Sequence, residues 1–150
     1  MHIKTLKVEG FRSLKDVTWK PGPLNILIGR NASGKTNLLS VIEMLAASSM
    51  GNLSEIINIK GGFPSLAFDG AADHISFEVT TSPMSNPSNP NVGREPRYEL
   101  YLEKLGQTSG HQISRELLAD YHKMHTQGAT QPFKFIDRNS QSSRRNCTMS

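Results

Sequence analysis

Apolar and polar residues alternate from Ile3 to Glu9, with Ile3, Leu6 and Val8 set among Lys4, Lys7 and Glu9. Period two predicts a half-buried strand, placed at a sheet edge. Leu14 to Trp19 reads as a second short strand, and Lys20 to Pro23 as a turn. Leu24 to Ile28, "LNILI", is nearly continuous in apolar residues, the pattern of a strand covered on both faces. From Lys35 the period changes. Leu38, Ile42 and Leu45 fall on one helical face, flanked by Leu39, Val41 and Ala46, with Gly51 as the stop.

"NLSEIINI", residues 52–59, adds a further helical turn, and "KGGFPSLAFDGAAD" reads as a loop. "HISFEVTT" alternates again, with Ile75, Phe77 and Val79 on one side, and predicts a strand. "SPMSNPSNPNVGREP" carries four prolines and nothing to bury, so a flexible connection is expected there. "RYELYLEKLG" is a strand with Tyr98, Leu100 and Leu102 on one face. "HQISRELLADYHKMH" fits strand or helix, "QPFKFIDR" fits a strand, and residues 139–150 read as a polar tail or the start of a linker. No internal repeat is present.

Composition narrows this picture without changing it. A chain of 150 residues suits one domain, and a domain of that size buries about 68–70% of its unfolded surface. Only 36% of residues are hydrophobic and mean hydropathy is −0.42, so a modest core with long polar surface segments is expected. The net charge of +4 permits phosphate or nucleic-acid partners. The basic residues are scattered, however, and an ordinary solvated surface fits them better than a dedicated DNA-binding face. The single cysteine, Cys147, excludes an internal disulfide. No apolar run approaches the ~18 residues of a membrane helix. The expectation is a soluble, cytoplasmic protein without membrane contact.

Chemistry is concentrated between the apolar run and the helix. Gly29, Gly34, Lys35 and Thr36 satisfy G-x-x-x-x-G-K-[ST], the phosphate-binding loop. Backbone N–H groups can wrap a polyphosphate only where the chain bends as glycine permits. The helix opening at Lys35 would aim its unsatisfied N–H groups and positive dipole end at the same point. Lys35 would place a cation on the β- and γ-phosphates, and Thr36 a hydroxyl on Mg²⁺.

The wording "GRNASGKT", the opening "IKTLKVEGFRSLKDVTW" and the segment "KGGFPSLAFDG" together resemble the ABC/SMC-type ATPases, and within them the RecF-like and OLD-like branch. The similarity covers residues 1 to about 80 well, weakens through the later strands and vanishes near residue 139. It implies an α/β fold: the N-terminal lobe, residues 1–138, of a P-loop NTPase head with a mixed sheet and an antiparallel flank. By the same resemblance ATP and Mg²⁺ are the cofactors. The backbone over Asn31, Ala32, Ser33, Gly34, Lys35 and Thr36 would hold phosphates, with Thr36 on the metal. Arg12 and Ser13, in the "FRS" turn, would lie near the nucleotide. For Arg12 a plain surface position on the turn is an equal alternative, and Arg30 could simply face solvent.

Hydrolysis by such a head needs carboxylates that orient Mg²⁺ and the attacking water. The resemblance places them on a buried strand of four apolar residues followed by Asp-Glu. "FKFIDR" offers Asp137 but has Lys134 inside the run and Arg138 in place of Glu. "ELLADY" offers Asp120 without the strand or the second acid. "TSGHQ", Thr108 to Gln112, approaches the family's "LSGGQ" signature, with "ISRELLADYHKM" as a helix after it, yet "GQTSGH" reads more readily as a hairpin turn. His122 and His125 have metal-ligand spacing but no third ligand.

The missing acid, signature and remaining strands are therefore expected beyond residue 150, which makes the chain an incomplete lobe, whether fragment or natural truncation. The expected function is ATP binding, with hydrolysis on completion, in DNA repair and maintenance or in defence. The expected partners are a second head, in a head-to-head homodimer, or a partner ATPase subunit, and DNA is a further possibility. The alternatives are a non-catalytic docking module for a full-length ATPase and, less favoured, a small-molecule kinase. GTPase strings such as N-K-x-D do not occur.

Overall fold

A computed structural model of the chain describes residues 2–31, 33–82, 84–86, 89–106, 110–122 and 133–139. The alternating segments pair as the sequence suggests, and the register explains why. β1 (Ile3–Phe11) and β2 (Leu14–Trp19) form a hairpin. β3 (His74–Thr81) joins the other side of β1, followed by β5 (Asn89–Lys104), β6 (His111–His122) and β7 (Phe133–Asn139). β4 (Met84–Asn86) pairs with the start of β5. One row of partners crosses the sheet from edge to edge: Trp19, Leu6, Val79, Tyr98, Leu118, Ile136. A one-residue slip at any strand would send that row to the other face.

Among the described residues three helices cover this apolar face: α1 (Lys35–Ser49), α2 (Leu53–Ile59) and the single turn α3 (Phe63–Leu66). Leu38, Val41 and Met44 of α1, Leu53 and Ile57 of α2, and Phe63 and Leu66 of α3 share one core with Leu6, Val8, Phe11, Ile75, Phe77, Leu100 and Leu102. Phe11 and Phe77 meet edge to face, 5.5 Å between ring centroids. Each fully buried side chain of this kind contributes about 1.5–3 kcal/mol.

Several sequence expectations are corrected. The sheet is antiparallel at every described pairing, not mixed. β1 is not an edge strand, because β2 flanks it. Leu24–Ile28 forms no strand and lies open, with Ile28 91% exposed. A run of that composition needs parallel neighbours on both sides, and no described strand is placed to supply one. α1 turns a different stripe inward: Leu38, Val41, Met44 and Ala47 are buried, whereas Leu39 and Ile42 stay exposed. The helix is apolar on two sides, and the sheet covers one. Its end falls as expected, with Gly51 N–H donating to Ser48 O and Asn52 N–H to Ala47 O.

The predicted loop over residues 60–73 contains α3 and a 3₁₀ turn, Phe68–Gly70. The predicted connection over residues 82–96 is largely ladder, and Pro96 sits opposite Asp120. Backbone pairing continues there although the side chains are polar. "HQISRELLADYH" resolves as strand, and Asn139 ends β7 rather than opening a tail. Residues 140–150 lie outside the described residues. Among the described residues no helix is long and apolar enough to cross a membrane.

Candidate functional site

The loop from Gly29 to Thr36 leaves the exposed run and feeds directly into α1. Gly34 is the residue before the helix, with φ +90°, a value side-chain-bearing residues rarely adopt. A Cβ on Gly34 would stand 3.0 Å from Ser13 Oγ, and one on Gly29 would stand 2.7 Å from Ser33 Oγ. Gly34 is thus favoured by backbone angle and by close approach together, and Gly29 by close approach alone. Ser33 N–H donates to Arg30 O at 3.2 Å, closing the turn. Asn31, Ser33, Gly34, Lys35, Thr36 and Asn37 line a cavity of about 410 Å³. Ala32 lies outside the described residues.

No side chain caps the N-terminus of α1, and its first turn carries no acidic residue. Its free N–H groups and positive dipole end therefore favour an anion at the cavity. The Lys35 ammonium donates to Gly29 O (2.6 Å), Arg30 O (2.7 Å) and Ser33 Oγ (3.2 Å). It is folded back onto the loop it belongs to, so contact with a bound anion requires it to exchange those carbonyls for phosphate oxygens. Thr36 and the side chain of Arg30 are exposed.

The turn between β1 and β2 lies against this cradle. Arg12 holds φ +49°, and its N–H donates to Leu66 O at 2.7 Å, which ties the strained position to α3. Its guanidinium stands 5.7 Å from the centroid of the Phe11 ring. Asn37, which sequence reasoning passed over, reaches both turn residues. Its Nδ2 donates to Ser13 Oγ at 2.8 Å, and its Oδ1 accepts from Arg12 Nη1 at 3.5 Å. The string "GKTN" places it one residue past the motif but does not name its partners, which lie 24 and 25 positions earlier in the chain.

Residues 1–92 match the family described as AAA ATPase domain, which is more than half of the chain. The chain belongs to the AAA ATPase domain family. Among curated proteins it is similar to the DNA replication and repair protein RecF of Staphylococcus haemolyticus (strain JCSC1435), 53% identical over 47 residues, covering 31% of this chain and 13% of that protein. It is also similar to RecF of Staphylococcus aureus (strain JH9), 36% identical over 84 residues, covering 53% of this chain and 23% of the relative. The matches thus span less than a quarter of either relative. They mark the chain as the N-terminal portion of an ABC/SMC-like, RecF-type P-loop ATPase.

The acids considered from sequence lie elsewhere in this AAA ATPase domain. Asp137 is on β7, at one end of the strand order, and pairs with Lys134 at 2.6 Å. Asp120 is buried on β6, opposite Phe133. Among the described residues no Asp or Glu lines the cradle cavity. The signature-like segment is not a helix start: His111 and Gln112 are ladder residues opposite Lys104 and Glu103, and Leu105 N–H donates to Gly110 O across the hairpin. Thr108 and Ser109 lie outside the described residues, as does His125. Among the described residues no group of three His, Cys, Asp or Glu could hold a metal ion.

Proposed function

We propose that this AAA ATPase domain binds ATP with Mg²⁺ through the loop from Gly29 to Thr36. One observation carries the reading: a glycine-bent loop, an uncapped helix N-terminus, a lysine and a threonine converge on one cavity. The residues suit the group. The open N–H groups and Lys35 match a polyphosphate, and the exposed Thr36 hydroxyl matches the oxygen preference of a hard cation. When bound, Mg²⁺ would neutralise phosphate charge, with Thr36 as its protein ligand. Arg12 and Ser13 would flank the phosphates. Because no carboxylate lines the cradle among the described residues, hydrolysis is assigned to a longer polypeptide that brings one. The similarity to RecF makes DNA repair the proposed setting, with DNA and a second ATPase head as proposed partners.

Calorimetric titration of the chain with ATP, with and without Mg²⁺, tests this. Saturable Mg²⁺-dependent binding is expected, weakened at least ~10-fold by Lys35→Ala, a loss of about 1.4 kcal/mol or more. Equal affinity of the variant would overturn the assignment.

A second reading, a docking module for a full-length ATPase, rests on the apolar residues left open: Leu24 (80% exposed), Ile26 (73%) and Leu39 (60%). It expects a partner ATPase to be held equally well by the chain and by its Lys35→Ala variant. Loss of that binding in the variant would count against it.

A further inference from the structure

We infer that Asn37 is a positioning residue that fastens the Arg12–Ser13 turn to the phosphate cradle, so that polyphosphate affinity depends on a side chain outside the loop motif. The inference rests on the proposed nucleotide reading and goes beyond it.

Asn37 is the third residue of α1, one position past Thr36, and it lines the cradle cavity. Its amide is used at both ends on successive residues of another element. The donor end holds Ser13 Oγ at 2.8 Å, a full hydrogen bond. The acceptor end meets Arg12 Nη1 at 3.5 Å, much longer than the ~2.7–2.9 Å of a tight charge-assisted bond. The serine is therefore fixed, and the guanidinium is parked rather than locked.

Geometry on the other side of the turn makes that arrangement specific. Ser13 Oγ stands 3.0 Å from the Cβ position of Gly34, so the serine packs against the base of the cradle. The Arg12 backbone is pinned in a left-handed conformation by Leu66 O, which leaves its side chain as the adjustable part. An anion in the cavity is a stronger acceptor than the Asn37 carbonyl. Arg12 does not itself line the cavity, but its guanidinium meets Asn37, which does, so the amide holds it one side chain away from the anion. Without that amide the guanidinium has the Phe11 ring as its remaining described contact, and part of its entropy must be lost on binding instead.

The test is a set of ATP·Mg²⁺ affinities for the 150-residue chain, measured beside thermal melts. Asn37→Ala is expected to weaken binding about fivefold to tenfold, the scale of one lost hydrogen bond. Ser13→Ala, at an exposed site where folding is not at risk, is expected to give a smaller loss in the same direction. The deciding measurement is the double variant Arg12→Ala/Asn37→Ala, which should bind no more weakly than Arg12→Ala alone, since Asn37 acts through the arginine. Full additivity, or unchanged affinity in Asn37→Ala while Lys35→Ala abolishes binding, overturns the inference and leaves the nucleotide reading standing. Absence of ATP binding by the unaltered chain overturns both.

Discussion

Gly34 and Tyr98 show how single positions carry measurable consequences. Gly34→Ala forces a left-handed residue and brings a methyl 3.0 Å from Ser13 Oγ. A loss of about 1–2 kcal/mol is expected in urea melts, together with impaired nucleotide binding. The Tyr98 phenol is pushed up to about 12, chiefly by burial, with the Ser48 hydroxyl opposing and the Glu116 carboxylate adding. Its hydroxyl sits 2.7 Å from Ser48 Oγ and 3.0 Å from Glu116 Oε1. The unfolded chain ionises this tyrosine near pH ~10, so the folded state loses ground as pH rises from there toward the raised value. Ultraviolet titration should show a late phenolate component that Tyr98→Phe removes. His111 shifts the other way: burial lowers its pKa below the usual 6.5. The unfolded state takes up that proton first, so stability should fall as pH drops below ~6.5. His111→Gln should flatten the urea midpoint between about pH 7.5 and about pH 5.5.

At the scale of elements, local alternation was sufficient wherever the partner strand is a sequence neighbour or lies across the helical crossover. Ile3, Leu6 and Val8, or Ile75, Phe77 and Val79, name their own face because the sheet buries one side only. Phe77→Ala, at the centre of that face, should cost about 3–5 kcal/mol in denaturant melts. The period misled where burial depends on a layer that the described fold does not contain. Leu24–Ile28 has the composition of a doubly covered strand, and Leu39 and Ile42 give α1 a second apolar stripe, yet neither is covered. In α1 the sequence offered two stripes and no way to choose between them. The loop motif was legible because its chemistry is local. Asn37 was not, because its partners Arg12 and Ser13 lie across the sheet-to-helix connection, and only tertiary structure brings them together.

Across the whole molecule, the face of the sheet opposite the helices is organised by charge. Glu78 and Glu99 stand directly opposite each other on β3 and β5, a repulsive pairing. Arg97 bridges them, 2.9 Å from Glu78 and 2.8 Å from Glu99, while Lys7 and Arg115 extend the row to β1 and β6 at 3.4 Å each. Glu99 is only 4% exposed, so its charge needs that neighbour. Arg97→Met should destabilise the chain by about 2 kcal/mol, less than the ~3–5 typical of fully buried pairs because the arginine is part-exposed. Added salt should do little to the unaltered protein's melting temperature and more to the variant's.

The open run ahead of the cradle has a thermodynamic corollary. Leu24–Ile28 enters the loop outside every described strand pairing, so a polypeptide that paired with it would brace the entrance to the cavity. Whatever polypeptide pairs with it should raise nucleotide affinity by some factor, and reciprocity demands that nucleotide raise the affinity for that polypeptide by the same factor.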